Sequence, residues 1–89
     1  MLQIKTSLDW ANIETEITRL GNTLPMFKHD IKRICESIRP EITTLSKLEL
    51  ENRRQQTSTT ARKCREQADK INETLKLFQK FHLMALLGQ

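Results

Sequence analysis

Apolar side chains punctuate the first half of the chain at a steady beat: Trp10, Ile13, Ile17, Leu20, Leu24, Phe27, Ile31, Ile34, Ile38, Leu45 and Leu48. The gaps alternate between three and four residues, and the one slot missed before Leu45 holds Glu41. A 3–4 alternation places all of these on one side of a helix, the seam along which helices pack together. Strand-like alternation is absent, and only two Gly and two Pro interrupt 89 residues. The pattern predicts an all-α chain.

Local signals divide that pattern into segments. Thr6 or Ser7 can cap a first helix, with Asp9 favourable in its opening turn. Gly21-Asn22 is a helix-stopping pair, so this helix is expected over about 7–20. Pro25 suits the first turn of a second helix, about 25–56, which Pro40 should kink or briefly break near Ile38–Arg39. From Glu51 to Gln67 only Ala61 and Cys64 are non-polar, and the run Thr57-Ser58-Thr59-Thr60 favours a cap or turn. A last helix, about 60–87, follows with its own seam at Cys64, Ala68, Ile71, Leu75, Phe78 and His82, and Gly88 can end it.

A turn near 57–59 folds the second and last helices into an antiparallel hairpin that pairs Leu48 with Ala68, Leu45 with Ile71, Ile38 with Phe78 and Ile34 with His82. Its arms are roughly 48 and 42 Å long at 1.5 Å per residue. Leu77, Phe81, Met84 and Leu87 then face away from the hairpin seam and need a second cover, which the first helix can supply with Trp10, Ile13, Ile17 and Leu20. The expected architecture is one helical domain over residues 1–89. It is a small coiled-coil-like bundle: a long antiparallel hairpin with a shorter N-terminal helix packed at its open end. Beyond about residue 50 two polar helices project as an arm. A helix continuous through 57–60 would instead force the seams to pair between chains.

Composition narrows the function classes. At 37% apolar and 29% charged residues the chain has enough apolar content to fold. The stretch Leu77–Leu87 holds eight apolar residues in eleven, too short for the about 20 that span a bilayer. The opening residues up to Ser7 lack the apolar core of a secretory signal. Cys35 and Cys64 lack the close spacing of a metal knuckle or a disulfide framework, which favours a reducing, cytoplasmic setting.

The net charge of +4 is unevenly placed. Residues 1–50 balance seven basic against seven acidic side chains, whereas 51–67 set Arg53, Arg54, Arg62, Lys63 and Arg65 against Glu51 and Glu66. This basic arm, beside a helix N-terminus, is a candidate contact for anions or nucleic acid. No aromatic lies between residues 28 and 77 to stack on bases, and no glycine sits in the hydroxyl run to cradle a phosphate. Lys63 and Arg65 beside Cys64 could lower its pKa, although an unreactive free thiol is the simpler expectation. His82 has no second ligand at helical spacing, and His29-Asp30 diverge by about 100° on a helix. No nucleophile, base and orienting group converge, so the chain is read as neither an enzyme nor the host of a cofactor or metal.

The leading functional expectation is a helix-docking or self-associating module whose partner is another protein or a second copy. Trp10, Ile13, Ile17, Phe81, Met84 and Leu87 are its candidate contacts. A small basic nucleic-acid-binding protein using the 51–67 arm is the alternative.

Overall fold

The computed structural model describes residues 2–88 as an elongated helical bundle, 48 × 17 × 16 Å. Its helices are α1 (Trp10–Thr23), α2 (Lys28–Gln55), α3 (Ser58–Leu75) and α4 (Gln79–Leu87), with short 3-10 turns at Ser7–Asp9, Pro25–Phe27 and Lys76–Phe78. Helices α2 and α3 form the long antiparallel hairpin, and α1 lies along the N-terminal part of α2. The expected all-α class and architecture are therefore present.

In α1, Ile13, Ile17 and Leu20 are buried, and Trp10 packs half-buried against the core. Thr15, Thr18 and Thr23 return their hydroxyls to the carbonyls of Ala11, Glu14 and Arg19, which keeps them compatible with the helix interior. The helix runs past the expected stop at Gly21 to Thr23. Gly21 has no positive φ; it is buried, with Lys28 and Ile31 close to where a side chain would begin. Its smallness serves the packing of α1 on α2 and does not end α1. Pro25 opens the next turn as its fixed φ suits.

Helix α2 continues without a break across Pro40. Pro40 is exposed, as is Glu36, whose carbonyl loses its donor, so water can take the place of the missing N–H. The buried stripe is Ile31, Cys35, Ile38, Ile42 and Leu45, with Ile34 half-buried at its edge. Cys35 and Ile42 thus replace Ile34 and the Glu41 slot of the expected seam. Helix α2 serves two neighbours at once, and its α1 side, where Cys35 lines a groove with Ile17 and Gly21, widens the stripe.

The hairpin turns at Gln56-Thr57, slightly before the expected 57–59. Gln56 is left-handed, with φ 50°, and its N–H donates to the Asn52 carbonyl at 2.7 Å. The register slides with the turn. Thr60 bonds Asn52, and Gln67 bonds both the carbonyl and the carboxylate of Glu41, so each α3 residue meets an earlier α2 residue than the expected pairing gave.

A single long last helix is also corrected. The chain passes from α3 into α4 through the Lys76–Phe78 turn. At 3.0 residues per turn this segment rotates α4 relative to α3 by roughly 60°. Phe81 swings into the core, against Phe27 with ring centroids 5.6 Å apart, and His82 moves to the edge. Gly88 closes α4, donating to the Met84 carbonyl at 2.9 Å.

One core element carries no periodic signal. Residues 2–6 form a strap across the hairpin, and Ile4 within it is 1% exposed. Asn72 of α3 brackets the Ile4 backbone, accepting its N–H at 2.7 Å and donating to its carbonyl at 3.0 Å. Beyond it, the Ser7 N–H and hydroxyl both reach the Glu49 carboxylate of α2. The Asp9 carboxylate accepts from the N–H groups of Thr6 and Lys5, and those two bonds hold it below its ordinary pKa.

Candidate interaction surfaces

Two parts of the molecule remain open: the polar tip of the hairpin and the apolar end formed by α4. The tip is held by a small polar network. Thr57 caps α3 by accepting the Thr60 N–H at 3.1 Å, and the Thr60 hydroxyl donates to Asn52 Oδ1 at 2.8 Å. Among the described residues Thr60 is the one polar residue in the buried class. Its burial follows from position: it occupies the seam slot one turn before Cys64, where an apolar residue would otherwise sit.

Around this network Arg53, Arg54, Arg62, Lys63 and Arg65 are all exposed. Arg62 reaches Glu66 at 3.7 Å; among the described residues the other four make no ion pair. Arg53 shares a shallow groove with Lys5, Ser7, Glu49 and Cys64, while the remaining basic groups are spread over both helices. The structure does not give Cys64 an activated thiol. Burial pushes its pKa up, and the nearby Glu49 carboxylate pushes it further, while Lys63 and Arg65 lie on either side of its helical direction. Cys35 is buried, and its thiol is likewise raised, chiefly by desolvation. Both cysteines are free.

Between tip and base, polar pairs tie the helices together. Arg39 of α2 holds Glu14 of α1 at 3.1 Å, and Glu41 receives Gln67 and Lys70 from α3. The Gln67 bond, and then the Lys70 charge, keep the Glu41 carboxyl below its ordinary pKa.

The open end has the opposite character. Leu77, Leu83, Leu86 and Leu87 are 51%, 57%, 68% and 87% exposed, and Met84 is 40% exposed. Met26 stands out at 88% from the turn that brings Phe27 onto Phe81. Helix α1 was expected to cover Leu77, Met84 and Leu87, but it docks along α2 and meets α4 over a short length only. Phe81 and part of Ala85 receive cover; the rest do not. Of the candidate contacts, Ile13, Ile17 and Phe81 are therefore spent within the fold and Trp10 largely so, whereas Met84 and Leu87 stand free.

Cationic side chains flank this end. Lys76 is paired with Glu73 at 2.9 Å, and the Lys80 ammonium lies 5.0 Å from the centre of the Phe81 ring, a cation–π contact. His82 lines a groove of about 550 Å³ with Leu2, Glu16, Leu75, Lys76 and Gln79, and its Nε2 is enclosed without a hydrogen-bond partner. Among the described residues no three His, Cys, Asp or Glu side chains converge in a metal-binding arrangement. Nor is any helix among them long and apolar enough to cross a membrane.

No protein-family model matches this sequence, and no curated protein or solved structure is detectably similar to it. The reading of function rests on the surfaces themselves. Sequence reasoning found the apolar face of the last helix and the basic tip. It missed the exposure of Leu83, Leu86 and Met26, which the periodicity of the main seam does not rank.

Proposed function

We propose that this chain is a non-enzymatic helical module that binds protein through its α4 end. The observation carrying this reading is the clustering of uncovered apolar side chains on α4, at Leu83, Met84, Leu86 and Leu87, whereas Leu8 and Leu50 are exposed singly elsewhere. Soluble monomers seldom expose contiguous apolar patches of several hundred Å², and such patches mark docking sites. The base is already anchored by Phe78 and Phe81, so α4 can hold its exposed leucines on a supported scaffold. A reducing, cytoplasmic setting suits two thiols that do not pair.

The test is a photoactivatable cross-linker placed at Leu86 in the cell of origin, with one at Leu50, near the tip, as control. A protein adduct from position 86 that is absent from position 50 supports the reading. No protein adduct from position 86 overturns it.

A second reading is favoured by the four basic side chains at the tip that lack an acidic partner among the described residues: non-specific nucleic-acid binding by the 51–67 arm. Its signature is affinity that falls steeply with salt and is lost when Arg53, Arg54, Lys63 and Arg65 are replaced by Gln.

A further inference from the structure

We infer that the N-terminal strap is the resident occupant of a peptide-binding groove, which accepts in its place an extended segment of another protein. That segment carries a large neutral side chain followed, two residues on, by Ile. The groove's lining includes none of the exposed α4 leucines, and the inference does not rest on the reading of that end.

The strap is held as an extended ligand is held. Asn72 brackets the Ile4 backbone, accepting its N–H and donating to its carbonyl, bonds that any residue except proline can make. Side chains alternate along it: Ile4 is fully buried and Leu2 packs half-buried on the core, while Gln3 and Lys5 are exposed. Main-chain bonds that supply affinity, with sockets for alternate side chains that supply specificity, are the pattern of extended-peptide recognition.

The two sockets are filled unequally. Ile4 closes its own. Beside Leu2 a groove of about 550 Å³ stays open between Glu16 of α1 and Leu75, Gln79 and His82. The His82 Nε2 is enclosed there with no hydrogen-bond partner among the described residues, an uncommon state for a buried polar atom. A tyrosine at the Leu2 position would add ring area to the groove and bring a hydroxyl able to bond that nitrogen. The charged groups of the lining are already matched, Glu16 by Arg19 and Lys76 by Glu73, so the groove favours a neutral side chain.

The root of the strap argues for a foreign segment over a second copy. Asp9 holds the Lys5 and Thr6 N–H groups, and Glu49 holds Ser7. Exchange between copies would strain this root and seat the same imperfect occupant. Residues 2–4 can instead lift about the root and leave it in place.

The experiment is an NMR titration of the full chain with an acetylated peptide of Leu2–Ser7 and with its Leu2→Tyr form, read at the Asn72 side-chain amide and the Ile4 amide. The tethered strap competes at an effective concentration on the order of 1 mM. Wild type should therefore respond to the Leu2→Tyr peptide at millimolar concentration, with faster exchange at the Ile4 amide as the strap lifts. Ile4→Ser in the chain frees the groove and should tighten binding at least about tenfold. In that background the Leu2→Tyr peptide should bind about tenfold tighter than the unsubstituted one. Adding Asn72→Ala should weaken binding about tenfold, and Ile4→Ser in the peptide should abolish it. Circular dichroism confirms that each variant folds.

A wild-type chain whose Ile4 and Asn72 signals ignore both peptides at millimolar concentration overturns the inference, whatever the fate of the Ile4→Ser chain. So does binding that survives Ile4→Ser in the peptide, or that ignores Leu2→Tyr. A dimer by sedimentation that is lost with Ile4→Ser in the chain would name a second copy and overturn the foreign segment.

Discussion

The two ends of the hairpin share helical geometry and differ in what fills the seam. At the base the slots hold Ile31, Cys35, Ile38, Phe78 and Phe81; toward the tip they hold Glu49, Asn52 and Thr60. Base slots bury apolar area from three or four helices at once. Tip slots bring polar atoms together and can only exchange hydrogen bonds with water for hydrogen bonds with each other, which yields about 1 kcal/mol apiece. The base therefore supplies most of the stability, and the tip is specified by geometry. The base also retains more apolar surface than it can cover itself.

The sharpest way to break this contrast is Phe78→Ala. Phe78 is fully buried in the turn between α3 and α4, and its truncation should cost about 3–5 kcal/mol, measured by urea denaturation. At the tip, Thr60→Val should cost only about 1–2 kcal/mol, because it removes the hydroxyl shared by Asn52 Oδ1 and the Thr57 N–H while the Thr57 cap on the Thr60 N–H survives. Native-state amide exchange should show that loss confined to residues 50–64. An equal effect on base amides would mean that the two regions unfold as one.

Acid should loosen both the N-terminal strap and the polar pairs that join α2 to α3. The Asp9 and Glu41 carboxyls lie below their ordinary values of 3.8 and 4.5, so their contribution to stability is complete above about pH 4.5. It is lost as pH falls through the lower values they have in the fold. Asp9→Asn with Glu41→Gln should flatten the acid limb of stability against pH; an unchanged limb would show that other carboxylates set it. The smallest effect, and a favourable one, is expected from Gln56→Gly. Relieving a left-handed non-glycine residue should raise stability by about 0.5–1 kcal/mol in the same denaturation assay.

How far the sequence could be read depends on which force placed each residue. Periodic burial was legible: the hairpin, the short first helix and the core slots Ile17, Ile31, Ile38, Leu45, Ile71 and Phe78 follow from spacing alone. The hydroxyl run Thr57–Thr60 marked a cap or turn, although the helix begins at Ser58, before the expected start at about 60. What escaped lay outside a single period. Cys35 and Ile42 are buried because α2 packs on two sides. His82 yields to Phe81 because a 3-10 turn, marked by no glycine or proline, rotates α4. Ile4 is held by backbone bonds to Asn72, which no hydrophobic pattern announces. The candidate surface was half legible for a related reason: periodicity shows which side chains leave one seam, and only the docking of α1 shows which of them find cover.

The strap has a temporal consequence. Ile4 and Asn72, which share two hydrogen bonds, are 68 residues apart. On a ribosome that releases the chain from its N-terminal side, Ile4 emerges 68 residues before its bracket. Helices α1 and α2 can form and meet while the chain is still growing, since their contacts are local and quick to close. The strap cannot seat until α3 has folded back over α2. Its docking is the stitch that closes the bundle, and a nascent chain halted before residue 72 keeps Ile4 exposed for as long as it waits.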